Sequence, residues 1–453
     1  MNGMTQSERK ATSILASIFA LRMLGLFMII PVFALYGREL EGATPTLIGL
    51  AIGIYGLAQA LLQIPVGLWA DRVNRKLLII IGLILFAVGG AVAALSHSIW
   101  GVILGRAIQG AGAISAVVMA LLADLTREEQ RTKAMSTIGM SIGMSFAVAF
   151  IIGPLVAGHF GLSGLFWATS VMAILGLCLL HLVPQPIVIL KQHNDSYWQQ
   201  FKQSLFHAEL ARLNAGIFIL HLVMTASFVL LPHLLIDYAH LPASQHGWVY
   251  LPIVLGGFIA AVPAIIIAEK RRKIKQVFVF GIGLMTLSLL VLAREYQYYW
   301  GLLLGISLFF VAFNLLEALL PSLLSKIAPA GTKATAMGIY SSSQFLGAFF
   351  GGVCGGMLWA KQDVSLAYIC LALLTMLWVI LALFMRQPRF LHSMMLHIPQ
   401  HNKQQTSQLL QQLNTVQGVA EAVILAQERV VYLKVDNQIL DACALHDIIN
   451  MTS

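Results

Sequence analysis

One carboxylate, Glu317, sits well inside an apolar run, three residues after Asn314 and on the same helical face. Apolar surroundings disfavour the ionised form of a carboxyl group, which moves its proton affinity toward a range useful for proton exchange. His221 lies in another apolar run and is a second titratable group. Two arginines, Arg22 and Arg106, also interrupt apolar runs. Ionisable side chains at membrane depth are costly and mark functional sites by default. Glu317 and His221 are therefore proton-coupling candidates. The competing role for Glu317 is a fixed salt bridge to Arg22 or Arg106. Tyr55, Gln59 and Gln63 share one run and, with Arg22 and Asn314, are candidates for a polar substrate cavity. They fit interhelical hydrogen-bond glue equally well. The sequence shows no nucleophile–base pair and no metal-ligand motif, so no enzyme activity, metal or cofactor is expected. The tail histidines His392, His397, His401 and His446 are scattered and read as solvated.

A second cluster is the charged turn Gly67-Leu-Trp-Ala-Asp71-Arg-Val-Asn74-Arg75-Lys76, placed between two apolar runs. An Asp at a helix end can pair with a nearby Arg or face another helix's N-terminus. Arg75, four residues later, is within reach of Asp124 at the end of the fourth run. Topogenic positive charge accounts for Arg72 and Lys76 but not for Asp71 or Gly67.

The elements that must position these groups are long apolar helices. The chain has 453 residues, 58% hydrophobic and 10% charged, with a net charge of +9. Soluble domains carry about 25% charged residues, so a polytopic membrane protein is the natural class. The positive charges are confined to short loops, which favours membrane topology over nucleic-acid binding. Apolar runs, each near the roughly 20 residues that cross a bilayer, fall near 13–37, 46–70, 77–95, 99–123, 134–158, 162–183, 212–236, 246–268, 276–294, 298–324, 334–358 and 365–386. The first is too long for a signal-peptide core and is read as a retained helix. With a cytoplasmic N-terminus, the cytoplasmic side carries nearly all the Lys and Arg near the spans, and the opposite side only Arg38, Arg294 and Lys361. Both termini are thus expected in the cytoplasm.

The spans divide six and six around a polar stretch. Trp100-Gly101 and Leu104-Gly105 recur as Trp300-Gly301 and Leu304-Gly305. Thr132-Lys133-Ala134 recurs as Thr332-Lys333-Ala334 at the same offset. A shared offset at equivalent spans supports duplication. The expected organisation is a six-helix bundle over 1–183, a cytoplasmic linker over 184–211, a second bundle over 212–386 and a cytosolic domain over 387–453. That tail alternates like a strand at 390–398, is helical at 407–416, forms strands at 420–425 and 430–435 and ends in a helix at 440–449. This βαββα order is a ferredoxin-like half-sandwich with its last strand lacking or truncated. The four cysteines, Cys178, Cys354, Cys370 and Cys443, show no C-x-x-C spacing, so a disulfide or thiolate site is not expected.

The turn G-x-x-x-D-x-x-x-R-K resembles the loop signature of the major facilitator superfamily, between its second and third transmembrane helices. Asn74 stands where that family usually has Gly. The resemblance implies an all-α fold of twelve transmembrane helices in two pseudo-symmetric bundles. It also implies a conformational lock of Gly67, Asp71, Arg75 and Asp124, with Asp71 facing the start of the eleventh span at 334–338, including Gly338. The second-half counterpart, Glu269 with Lys273, has Ile265 in place of the Gly and is expected to form a weak latch at best. Leu104-Gly-Arg106-Ala-Ile-Gln109-Gly110 resembles the family's second motif, in which the Arg tunes the proton affinity of a nearby acid. Gly153-Pro154 with Gly158 resembles its antiporter motif, a site of helix kinking and tight packing, with Ala149 and Ala157 as departures.

Taken together, the chain resembles drug:proton antiporters of that superfamily, and its tail a bacterial subgroup with a ferredoxin-like cytosolic domain. The implied function is proton-coupled export of an amphipathic or apolar small molecule across the bacterial inner membrane by alternating access. The proton gradient is the energy source, and a functional monomer is expected, with protons and an unidentified solute as its partners. Two alternatives remain open: proton-coupled or facilitated uptake by the same fold, and a membrane sensor that signals through the tail.

Overall fold

The computed structural model describes residues 3–70, 73–184, 197–328, 333–387, 392–397, 403–425, 430–435, 439–441 and 444. Helix covers all twelve expected runs. The N-terminal set comprises α1 (Gln6–Phe27), α2 (Ile30–Tyr36), α3 (Pro45–Trp69), α4 (Arg75–Leu95), α5 (Ile99–Ala111), α6 (Ser115–Leu125) and α7 (Glu128–Leu180). A connecting helix α8 (Tyr197–Phe206) leads to the C-terminal set. That set comprises α9 (Ala208–Asp237), α10 (His246–Lys270), α11 (Ile274–Glu295), α12 (Tyr299–Ile327), α13 (Lys333–Ala360) and α14 (Val364–Leu383). Among the described residues, ten stretches are long and apolar enough to cross a membrane. One of them, Lys133–Leu180, takes in two expected spans, which join without a loop at Gly161, where φ is 65°.

Two other spans are interrupted. The first span divides at Met28–Ile29, and Pro31 stands in the first turn of α2, where its missing N–H costs nothing. The fourth divides at 112–114, between α5 and α6. Elsewhere starts are capped: Thr44 Oγ1 accepts from Leu47 N at 3.2 Å, and Asp363 Oδ1 from Leu366 N at 2.8 Å.

Each helix set has its own apolar core. Phe86, Leu121 and Ile138 are among the buried residues of the first, Phe278, Phe309 and Trp378 of the second. Between the sets the decisive contact is α3 on α13. A Cβ placed on Gly53 would lie 2.6 Å from the Phe349 carbonyl oxygen, and one on Gly56 2.6 Å from that of Phe345. Gly49 and Gly352 approach more closely still. Small residues allow two backbones this near to each other. The seam ends near Ala60, whose carbonyl accepts from Ser342 Oγ at 3.3 Å. Likewise α7 and α10 touch where Gly247 meets the Phe150 carbonyl.

Toward the end that bears both termini, the pairs separate. Among the described residues, Cβ atoms built at Gly338 on α13, and at Gly139 and Gly143 on α7, meet nothing within 4 Å. Met140 and Met144 are exposed. The helix sets therefore enclose a cleft that closes at the far end and widens toward the termini.

The tail forms a three-stranded sheet of β1 (His392–His397), β2 (Val419–Leu425) and β3 (Val430–Val435), in the order β1-β3-β2, with β3 antiparallel to both neighbours. Helix α15 (Lys403–Thr415) contributes Leu409 and Leu413 to a small core with Val431, Leu433 and Val435. The strands and helix lie close to their expected positions. The expected turn at 427–428 and most of the final helix lie outside the described residues, as do Asp71, Arg72 and much of the linker.

Gly352→Val is expected to lower the thermal unfolding temperature in detergent, since overpacking costs about 1–3 kcal/mol. Gly338→Ala, in open space, should leave it unchanged or raise it slightly. Equal losses in both would remove the close-approach argument.

Candidate functional site

The broken fourth span explains Arg22. Ending α5 at Ala111 leaves the Gly112 carbonyl without a helical partner, and Arg22 Nη2 donates to it at 2.8 Å. The same guanidinium donates to Tyr55 Oη at 3.0 Å, Gln59 Oε1 at 2.9 Å and Ser115 Oγ at 3.0 Å. Gln59 in turn donates to Gln63 Oε1 at 3.0 Å. Arg22 is 1% exposed, and Tyr55, Gln59 and Gln63 are buried as well. The expectation that these four line an open cavity is corrected: they lie inside the wall. The reason is that a buried cation with no carboxylate in reach recruits every neutral oxygen nearby.

Arg106 follows the same rule. It donates to Gln109 Oε1 at 3.2 Å and to the carbonyls of Ala51 and Ile52 at 3.4 Å, and its guanidinium lies 4.9 Å from the Tyr55 ring centroid. Gln109 passes the network on to Thr169 Oγ1 at 3.0 Å. Neither arginine is ion-paired to Glu317, so the alternative of a fixed salt bridge with either is not what the structure shows.

Glu317 on α12 instead meets His221 on α9, Oε2 to Nε2 at 3.2 Å. It is not buried as expected: 38% of its side chain is exposed, because the adjoining cleft leaves that face of α12 uncovered. Gln344 on α13 completes the cluster, with Nε2 2.8 Å from His221 Nε2 and 3.4 Å from Glu317 Oε1. One ring nitrogen cannot donate to a carboxylate and accept from an amide at once. Either His221 Nε2 carries a proton toward Glu317 and the Gln344 amide presents its oxygen, or the ring accepts and Glu317 holds the proton. The cluster thus has two hydrogen-bonding arrangements that differ in where one proton sits. Asn314, expected beside Glu317, donates to the Val254 carbonyl at 3.3 Å and stays out of it.

Gln344 was not among the sequence-derived candidates. An uncharged amide in a helix of small residues carries no signal of its own, and only the packing of α13 brings it to His221. Its neighbour Phe345 meets Tyr55 across the interface, ring centroids 6.5 Å apart. Phe146 and Phe313 also stack across it at 6.2 Å.

At the terminus-bearing end, Arg75 pairs with Asp124 and donates to the carbonyls of Ala70 and Ala120 at 3.2 Å. Asp71 lies outside the described residues. Among the described residues Gly67 does not serve close approach in this conformation: a Cβ there would meet Ala116 at 3.7 Å. A Cβ at Gly338 likewise meets nothing within 4 Å among the described residues. Glu269 is better held than expected. Lys326 Nζ lies 2.8 Å from both of its carboxylate oxygens, and Ser322 Oγ donates to it at 2.8 Å. Of the antiporter-like motif, Gly153 packs on the Met28 backbone, whereas Gly158 has only loose neighbours.

The sequence profile of the Major Facilitator Superfamily matches residues 15–274 and 213–394. The chain belongs to this superfamily. It is 46% identical over 438 residues to the inner membrane transport protein YajR of Escherichia coli (strain K12), covering 96% of each chain. It is 26% identical over 382 residues to the quinolone resistance protein NorA of Staphylococcus aureus (strain MSSA476), covering 81% of this chain and 94% of that one. Among solved structures, the D-xylose-proton symporter superposes with a TM-score of 0.68 at 17% identity, over 83% of this chain and 97% of the other. The chain is thus a multi-pass membrane transporter.

Arg22→Met would leave the acceptors Gly112 O, Tyr55 Oη and Gln59 Oε1 without their donor. The expected result is a loss of about 1–3 kcal/mol, read as a lower unfolding temperature in detergent. An unchanged temperature would mean that Arg22 does not brace the broken helix.

Proposed function

We propose that this transporter exchanges protons for an amphipathic or apolar small molecule and exports it by alternating access. The observation that carries this reading is the Glu317–His221–Gln344 cluster, half-exposed on the cleft between the helix sets. Proton binding there changes both charge and hydrogen-bond direction on three helices at once. One of them, α13, makes the backbone seam with α3, and Phe345 next to Gln344 touches Tyr55 of the opposite set. A proton or solute shifts the balance between two conformations only by binding them unequally. A site that borders the moving interface meets that requirement.

In this reading residues 1–183 and 212–386 are the two rocking bundles, and the termini face the cytoplasm of a bacterial inner membrane, as the positive-charge asymmetry indicates. The cleft then opens inward. Arg75, Asp124 and Asp71 would brace the opposite state, with Gly67 and Gly338 brought together. Arg106, fully hydrogen-bonded to neutral groups, acts on the proton site only through the field of its charge. Export is supported by the Gly153-Pro154 motif and by similarity to a quinolone resistance protein. The tail, whose central strand lies between and antiparallel to its neighbours as in a split βαβ unit, is read as a ferredoxin-like docking or regulatory domain.

The test is proton movement in inside-out vesicles energised to an acidic lumen, followed by fluorescence quenching during addition of a compound panel. Compound-dependent proton release is expected, and Glu317→Gln should abolish it, with at least a tenfold lower rate. Release that persists in Glu317→Gln would remove that residue from coupling. Proton entry coupled to solute uptake would reverse the direction.

A further inference from the structure

The far end of the cleft is held by a polar contact that the apolar seam does not explain. Arg38, in the short turn Gly37–Glu39 after α2, donates from Nη2 to His233 Nε2 at 3.3 Å. His233 belongs to α9, in the other helix set, and is buried. Its ring stacks on Trp359 of α13, with centroids 4.4 Å apart and planes 12° from parallel. The Arg38 guanidinium lies over the same indole at 5.5 Å. One residue of the N-terminal set is thus clasped by two helices of the C-terminal set. Arg38 and Trp359 also border a cavity of about 510 Å³, with Ile48, Asp237, Tyr238 and Gln362 among its walls.

An arginine has no acceptor, so His233 Nε2 must supply a lone pair to it. A proton on that nitrogen removes the acceptor and sets two like charges at hydrogen-bond distance. The groups around the ring leave this conflict in place. From α10, His246 is within electrostatic reach, with its own Nε2 donating to the Leu241 carbonyl at 3.1 Å. α13 contributes the uncharged Trp359. Nearby α3 offers Pro45 and Ile48 to the cavity. Asp237 follows one turn later on α9 and borders the cavity but is ion-paired with neither Arg38 nor His233. The cation–π contact of Arg38 with Trp359 survives protonation, and the direct link between the sets does not.

We propose that His233 is the proton-responsive pin of a far-end gate. Neutral, it holds Arg38 and keeps the two helix sets closed. Protonated, it repels Arg38 and favours opening of that end. The proposal rests on the alternating-access reading but not on Glu317. In the orientation given above this end faces the periplasm, so entering protons would loosen the gate before reaching the cleft.

The experiment uses the full chain in lipid nanodiscs, with Cys178, Cys354, Cys370 and Cys443 replaced by Ser. Spin labels are placed at Leu95→Cys and Tyr298→Cys, both exposed far-end positions on opposite helix sets. Distance distributions are recorded from pH 8 to pH 5. The ratio of long to short distances should rise as pH falls, by at most about tenfold per pH unit, the limit for one linked proton. His233→Phe keeps an aromatic ring on Trp359 but can neither accept from Arg38 nor take up a proton, so it should give a pH-independent distribution with a larger share of long distances than the parent shows at pH 8. Arg38→Gln removes the second charge and should shrink the response at least threefold. Glu317→Gln should keep the far-end response while losing compound-dependent proton release, which separates this gate from the coupling site. The proposal is overturned if the distances ignore pH, if His233→Phe responds like its parent, or if Glu317→Gln alone removes the response. Should His233→Phe fail to give monodisperse protein, Arg38→Gln decides: an undiminished response there sinks the gate.

Discussion

Backbone contact between α3 and α13 governs where the rest of the molecule can be. Because Gly49, Gly53, Gly56 and Gly352 carry no side chains, the two helices meet at carbonyl distance over three turns. That contact closes the far end and leaves the cleft open toward the termini. It also sets Gln344 and Phe345 at the boundary between the Glu317–His221–Gln344 cluster and the Arg22 network. A helix pair held this closely cannot slide by fractions of an ångström. It can hinge where the small-residue seam stops, near Ala60 and Ser342.

The two helix sets handle charge in opposite ways. The N-terminal set buries Arg22 and Arg106 and surrounds them with hydroxyls, amides and carbonyls, including the carbonyl freed by the break in its fourth span. Their partners among the described residues are neutral, and none is a carboxylate. The C-terminal set places its carboxylate at the edge of the cleft and gives it an imidazole and an amide, groups whose hydrogen bonds reverse with one proton. The two arginines are enclosed, while the carboxylate reaches the edge of the cleft. The ends of the molecule show a similar division. Arg75–Asp124 and Glu269–Lys326 each stay within one helix set, whereas Arg38–His233 joins the two.

Kinship within the superfamily is consistent with this layout. A relative 46% identical aligns over 438 residues, 96% of each chain, so the alignment takes in most of the tail. A symporter at 17% identity shares the fold alone. Transport direction and substrate therefore depend on side chains in and around the cleft, which the fold does not dictate.

Much of this was legible in the sequence, for physical reasons that act locally. Bilayer thickness sets the length of an apolar run, so twelve runs could be read without coordinates. Burying an ionisable group is costly anywhere, so Arg22, Arg106, His221 and Glu317 stood out wherever the helices went. The Gly67–Lys76 turn announced the family, since its charge pattern belongs to one kind of loop. Partnership was not legible. Whether Glu317 would meet an arginine or His221, whether Tyr55 and Gln59 would face solvent or Arg22, and whether Gln344 or His233 would matter all depend on rotation of packed helices. Each of these contacts joins residues tens to hundreds of positions apart. The apolar pattern of one helix does not record which polar face another helix will present to it, so only the tertiary structure decides those contacts.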